Sequence, residues 1–163
     1  MAGIYIHIPF CKKLCSYCDF YHIITQSDTK SFTDALIREA GSRREYLANE
    51  PVSTIYIGGG TPSVLSPEEI KTILDSIGKL FRVEENPEIT IELNPDDVDE
   101  NYLHGLKDSS VNRISLGIQS WRDADLKLMN RRHNAVQAAE ALEQTFKAGF
   151  KNVTIDLIYG IPG

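Results

Sequence analysis

Cys11, Cys15 and Cys18 are the chain's three cysteines, and all fall inside the stretch YIHIPFCKKLCSYCDFYH at residues 5–22. An odd, tightly clustered set cannot close a disulfide framework, and reduced thiols grouped in this way point to metal or redox chemistry. The spacing is C-x3-C-x2-C, with no further cysteine to supply a fourth thiolate. Thiolates suit zinc or an iron–sulfur cluster, and a short loop can wrap three corners of a cubane. One iron would then stay open to a substrate or cofactor, as one position stays open on a catalytic zinc. A structural zinc with His7 or His22 as fourth ligand is the alternative, although zinc motifs usually bring two separated pairs of ligands.

Other polar residues join the cysteines when the strands are placed. Short β-rich runs at 3–8, 53–57, 88–93, 112–118 and 152–160 alternate with helical spacings. The clearest helix carries Ile70, Ile73, Leu74, Ile77, Leu80 and Phe81, opened by Ser66, Pro67 and Glu69 as a capping box with proline at its first position. A second follows Asn134, with Val136, Ala139, Leu142 and Phe146 expected on its apolar stripe and Gly149 as its stop. Residues 31–47, 99–107 and 122–130 are further helix candidates. Strands alternating with helices imply parallel βαβ units and an α/β fold.

Ligands of such folds gather at the carboxyl ends of the strands. The first strand is followed there by the cysteines and the second by GGGTP at 58–62; the third ends in Glu92 and Asn94, the fourth in Gln119, and the fifth contains Asp156. GGGTP has glycines for close backbone approach but lacks the lysine of a phosphate loop, so alone it also reads as a tight turn. Glu92 is in phase with Thr90 and Asn94, away from the apolar face, and is a site residue or a solvated carboxylate. Asp156, between Ile155 and Leu157, is a site residue or a buried structural acceptor that must find donors. Tyr5 and His7 share a parity and face either a barrel interior or a packed core. Arg132 and His133 of MNRRHN read as a solvated basic turn, and Trp121 as core or site.

Composition narrows the function classes. With 163 residues, 42% hydrophobic and 25% charged, the chain has the profile of one globular domain. A formal net charge of −6 gives nucleic acid no general reason to bind. No run approaches a membrane span and no secretory signal is evident, so a cytoplasmic protein without membrane insertion is expected.

Together these motifs resemble the radical S-adenosylmethionine superfamily, and more closely the family of oxygen-independent coproporphyrinogen III oxidases and its relatives. YIHIPFCKKLCSYCDF, YIGGGTPS, IELNP, RISLGIQS, NRRHN and IDLIYGIPG occur in that family's order, over essentially the whole chain. The resemblance implies a 4Fe-4S cluster on Cys11, Cys15 and Cys18, with S-adenosyl-L-methionine on the fourth iron. It also implies Tyr5, Tyr17, Gly59, Gly60, Thr61, Glu92, Gln119, Arg131 and Asp156 as S-adenosylmethionine contacts, and electron transfer that cleaves the sulfonium to a 5′-deoxyadenosyl radical. The implied fold is a partial (β/α)6 TIM-like barrel. Residues 1–163 would be its radical SAM core domain, truncated after about five strands, with apolar surface exposed there and the family's C-terminal domain absent from this chain.

Within the family, the oxidase proper continues past its third ligand with glycine and a further cysteine. Here Asp19 and Phe20 follow Cys18, which resembles the haem chaperone branch. That branch implies binding of haem or a porphyrin, delivery to respiratory haem proteins, and an electron donor such as flavodoxin or ferredoxin. Coproporphyrinogen III oxidation is the alternative activity, and neither His7 nor His133 is assigned as haem ligand.

Overall fold

Strict alternation of apolar and polar residues sends every second side chain of a strand to the same face, and the strands of this chain share one such division. The computed structural model describes residues 2–24 and 28–162; Gly163, the last residue of the IDLIYGIPG motif, lies outside them. In chain order the elements are β1 (Ala2–Ile8), β2 (Phe10–Cys11), β3 (Ile23–Ile24), α1 (Thr29–Ser42), β4 (Val52–Gly59), α2 (Pro67–Leu80), β5 (Val83–Leu93), α3 (Glu100–Asp108), β6 (Arg113–Gln119), α4 (Asp123–Leu128), α5 (Ala135–Lys147) and β7 (Asn152–Leu157).

Five strands form one parallel sheet in the order β1-β4-β5-β6-β7, so their carboxyl ends lie along one edge. The fold is α/β, as expected. Register lines up Ile6, Ile57, Ile91, Ile114 and Val153 in one row of the apolar face. The adjacent row on the opposite face is Tyr5, Tyr56, Thr90, Arg113 and Asn152, so polar groups own that side. Helices cover the apolar rows: Ile70, Ile73, Leu74 and Ile77 of α2 and Leu103 and Leu106 of α3 are buried in the same core. Burial of such side chains contributes on the order of 2 kcal/mol each. β7 is an edge strand whose outer residues Ile155 and Leu157 are exposed.

The capping boxes explain where the helices begin. Ser66 Oγ accepts from the Glu69 N–H at 3.2 Å and Glu69 Oε2 accepts from the Ser66 N–H at 2.8 Å. Asn134 and Gln137 make the same reciprocal pair for α5, both contacts at 2.9 Å. Gly149, at φ 87°, ends α5 in the left-handed region that glycine adopts without strain. The expected stripe of α5 is wrong, however. Its buried face is Ala138, Ala141 and Thr145, whereas Ala139 is exposed and Val136 and Phe146 are 64% and 52% exposed. Small residues let the helix lie close to its neighbours, so size rather than hydropathy decides which face turns inward. Only Leu142 of the expected stripe packs against the core.

Two further differences bear on the site. β5 begins five residues before the expected start and runs through Pro87, because Val83 pairs with Val52 ahead of a register shift. The two-residue strands β2 and β3, which periodicity cannot reveal, pair Phe10 with Ile23 and Cys11 with Ile24 across the base of the cysteine loop. Among the described residues no helix is long and apolar enough to cross a membrane.

Candidate functional site

A cavity of about 730 Å³ opens at the carboxyl edge of the sheet. Cys11, Cys15 and Cys18 form one part of its wall, with Tyr17 between them. Gly59, Gly60 and Thr61 line it from the end of β4, Glu92 from β5, Gln119 from β6, Arg131 from the turn after α4, and Asp156 from β7. Of the residues expected at the site, Tyr5 alone lies outside this lining. It is 58% exposed, its ring stacked on Tyr56 and its hydroxyl 3.1 Å from His7 Nδ1.

The cysteine loop is pinned from both sides. At its base the β2–β3 pair closes it, and at its tip the Ser16 N–H donates to the Met129 carbonyl at 3.1 Å and Ser16 Oγ to the Leu128 carbonyl at 2.7 Å. Asn130 Nδ2 answers with a 2.7 Å bond to the Leu14 carbonyl. Donors meet two of the thiols: Thr61 Oγ1 lies 3.5 Å from Cys11 Sγ and Arg131 Nη1 lies 3.4 Å from Cys15 Sγ. Burial pushes the Cys11 thiol up, and the Thr61 hydrogen bond pulls against it. Among the described residues no three His, Cys, Asp or Glu side chains converge as the ligands of one metal ion would. In an iron–sulfur cluster each thiolate takes a separate iron, and that donor set suits three thiols spread along a wall.

Arg131 is the hub on the opposite side of the loop. Nη2 donates to Asn94 Oδ1 and to the Gly117 carbonyl, both at 2.7 Å, and Nη1 donates to Tyr17 Oη at 3.3 Å besides Cys15. All four terminal hydrogens thus have acceptors without a carboxylate among them, and the buried Nε has none. Gly117 permits the approach, since a Cβ there would stand 3.0 Å from Gln119 Nε2 and 3.5 Å from Arg131 Nη2. A glycine inside a strand is the signal that marks such close contact. Sequence reasoning passed over Gly117, and over the role of Asn94.

Glu92 accepts from the Tyr56 hydroxyl at 2.7 Å and from the Gly59 N–H at 3.2 Å. Burial raises its pKa above the usual carboxylate value, against the pull of those two bonds. Gly59 and Gly60 do different work. Gly59 is held at φ 110°, and a Cβ on Gly60 would sit 2.6 Å from the Phe10 carbonyl and 3.0 Å from Cys11 Sγ. Gln119 adopts a positive φ of 69°, a strained conformation of the kind that concentrates at sites, while its carbonyl accepts from the Ile158 N–H at 2.9 Å. Asp156 is exposed rather than buried, and its donor is Ser115 Oγ at 3.2 Å.

Arg132 and His133 are not a solvated turn. Arg132 pairs with Asp96 and, at 2.7 Å, with Asp97, which also takes Lys12 at 2.6 Å and Ser63 Oγ at 2.8 Å. His133 is buried, and Nε2 donates to the Ile118 carbonyl at 3.0 Å, leaving Nδ1 without a hydrogen bond and 3.9 Å from Asp96 Oδ1. Burial and the nearby Arg131 charge lower its pKa. The turn runs back under the cysteine loop, and its side chains meet the acidic 95–97 segment instead of water. His7 is satisfied through the Tyr21 carbonyl at 2.9 Å as well as Tyr5, and Trp121 is partly exposed outside the cavity.

Comparison with known proteins follows the same lines. The radical SAM superfamily profile matches residues 5–163. The chain is 44% identical over 160 residues to the haem chaperone HemW of Lactococcus lactis, covering 98% of this chain and 41% of that protein. It is 36% identical to the haem chaperone HemW of Bacillus subtilis, covering 100% of this chain and 44% of that protein. The chain therefore spans less than half the length of these relatives. Among solved structures, the coproporphyrinogen III oxidase of Escherichia coli, described as a radical SAM enzyme, superposes with a TM-score of 0.88 at 33% identity, over 98% of this chain and 37% of that one.

Proposed function

The chain belongs to the radical S-adenosylmethionine superfamily, and on that premise we propose that it holds a 4Fe-4S cluster and S-adenosyl-L-methionine as part of a haem chaperone. The carrying observation is that the three thiols and the Arg131 guanidinium line one cavity, with Nη1 3.4 Å from Cys15 Sγ. The donors fit both groups. Cys11, Cys15 and Cys18 would hold the cluster, and the positive charge of Arg131, which lines the same cavity, would face the carboxylate of S-adenosylmethionine. The Gly59–Gly60 backbone, Thr61, Glu92, Gln119, Tyr17 and Asp156 offer contacts for its amino, hydroxyl and ring groups. Tyr5 would contribute only from the row below. When bound, the reduced cluster supplies the electron that cleaves the sulfonium to a 5′-deoxyadenosyl radical. This chain's residues orient the cofactor and shield the cysteines.

Haem delivery is supported by Asp19 and Phe20 after Cys18 and by the likeness to curated haem chaperones. The ligand is then haem, the acceptors are respiratory haem proteins, and the reductant is a one-electron donor such as flavodoxin or ferredoxin. The test is anaerobic reconstitution followed by assay of iron, sulfide and haem, and of haem transfer to an acceptor. A shifted Soret band and transfer are expected; absence of both overturns the reading. Substituting any of the three cysteines by alanine removes the iron, whereas His7→Ala and His22→Ala keep it. Zinc in place of iron and sulfide would overturn the cluster.

The close superposition on a coproporphyrinogen III oxidase favours a second reading, oxidative decarboxylation of that porphyrinogen. Incubation with dithionite, S-adenosylmethionine and coproporphyrinogen III decides it, and lack of a decarboxylated product removes it.

A further inference from the structure

Asn94, the residue that follows β5, touches none of the cysteines, yet its amide lies between the two groups that do. Arg131 Nη2 stands 2.7 Å from one amide atom, and a guanidinium can only donate, so that atom must be Oδ1. The amide nitrogen is thereby turned to Thr61 Oγ1 at 3.2 Å. An amide NH2 in turn only donates, so the Thr61 oxygen accepts from it. The single hydroxyl hydrogen of Thr61, a buried residue, is then directed to Cys11 Sγ at 3.5 Å. From the other end, the guanidinium that Asn94 anchors presents Nη1 to Cys15 Sγ at 3.4 Å.

We infer that Asn94 is a positioning residue that sets the direction of the hydrogen bonds reaching Cys11 and Cys15, and through them the reduction potential of the cluster these thiols hold. The inference rests on the cluster reading above. Its physical basis is that donors aimed at cluster sulfurs stabilise the more negative, reduced form and so raise the potential. One amide between Thr61 and Arg131 polarises both donors at once, and hydrogen bonds in such a chain strengthen one another. No other side chain in the described structure bonds both groups. In sequence the residue stands only among the polar groups at the strand ends, and nothing there shows that it bridges Thr61 and Arg131.

Asn94→Asp tests this by reversing the polarity of one contact. A carboxylate oxygen replaces the NH2, so the Thr61 hydroxyl turns to it and leaves Cys11. The measurement is the midpoint potential of the anaerobically reconstituted cluster by spectroelectrochemical titration, in wild type, Asn94→Asp, Thr61→Val and the double variant. Both single variants shift the potential to more negative values. The Asn94→Asp shift is smaller in the Thr61→Val background, where only its charge acts, and Thr61→Ser, which keeps the hydroxyl, restores the larger shift. An equal Asn94→Asp shift in both backgrounds, or a Thr61→Val potential equal to wild type, overturns the inference. Where Asn94→Asp does not load, Asn94→Ala carries the same comparison. Failure of both to load a cluster that wild type and Thr61→Val accept also overturns it, since a residue that only orients donors leaves the three thiolates in place. A wild-type protein that takes up no iron and sulfide removes the cluster reading and this inference together; a loaded wild type with equal shifts removes this inference alone.

Discussion

Tyr56 donates its phenolic hydrogen to Glu92 across the boundary between β4 and β5, at 2.7 Å, on the polar face of the sheet. The carboxyl so held has a pKa raised chiefly by burial. The folded state therefore binds this proton more tightly than the unfolded chain does. The stabilisation is fully present below the unfolded carboxyl value and is lost as pH rises through the folded value. Glu92→Gln removes that dependence. Urea denaturation of the cluster-free protein from about pH 4, near the unfolded value, to neutrality should show wild type losing stability relative to the variant. Parallel pH profiles would refute the assignment.

Gly60 is expected to resist replacement. Its N–H donates to the Ile8 carbonyl at 2.7 Å, and an added Cβ would meet the Phe10 carbonyl at 2.6 Å, a backbone atom that cannot swing aside. Gly60→Ala should cost about 2 kcal/mol, the scale of overpacking, and reduce iron uptake by moving Cys11. Gly78→Ala, in α2 with nothing within 4 Å of the new methyl, should instead stabilise by about 0.5–1 kcal/mol. Thermal melts and iron content of the two variants provide the comparison.

The reassigned face of α5 makes a prediction that hydropathy alone would reverse. Ala141→Leu forces a larger side chain into a buried position and should destabilise by about 1–3 kcal/mol. Phe146→Ala removes a mainly exposed ring and should change stability by less than about 0.5 kcal/mol. Denaturant midpoints that rank the two in the opposite order would restore the Val136–Phe146 stripe.

Asp97 gathers Lys12, Arg132 and Ser63 beneath the cysteine loop with its own side chain 2% exposed. Removing a buried partner leaves charge uncompensated, but Lys12 is 43% exposed and recovers water. Asp97→Ala should therefore cost about 2 kcal/mol, and it should loosen the loop at Lys12. Faster amide exchange at residues 12–14 than at β6, read by mass spectrometry, is the expected signature; unchanged exchange there would show that the loop does not depend on this carboxylate.

Much of this was legible in sequence because each strand ends at the same edge. Once the five β-rich runs were placed in parallel, Cys11, Gly60, Glu92, Gln119 and Asp156 had to meet, and the cavity brings them together. The capping residues Ser66 and Asn134 were readable for a local reason, since a cap is a contact between residues three apart. What stayed hidden depends on contacts made across the chain. Whether an alanine or a phenylalanine faces inward on α5 is set by how closely the helix can lie. The burial of His133 depends on where the 131–134 turn is folded back. Asp156 could not be judged from its apolar neighbours, because its surroundings include Ser115 and open solvent.

The stitching of Ser16 to Leu128 and Met129 has a consequence for the order of assembly. The cysteines are synthesised before the carbonyls that fix their loop, the nearer of which lies 112 residues later, and loop closure over such a span comes after local structure has formed. Until α4 and the turn beyond it have folded, the loop that carries the three thiols is held only at its base, with its tip open to oxidation. The geometry of the three thiols is thus set by the completion of a segment far downstream rather than by the appearance of the cysteines themselves.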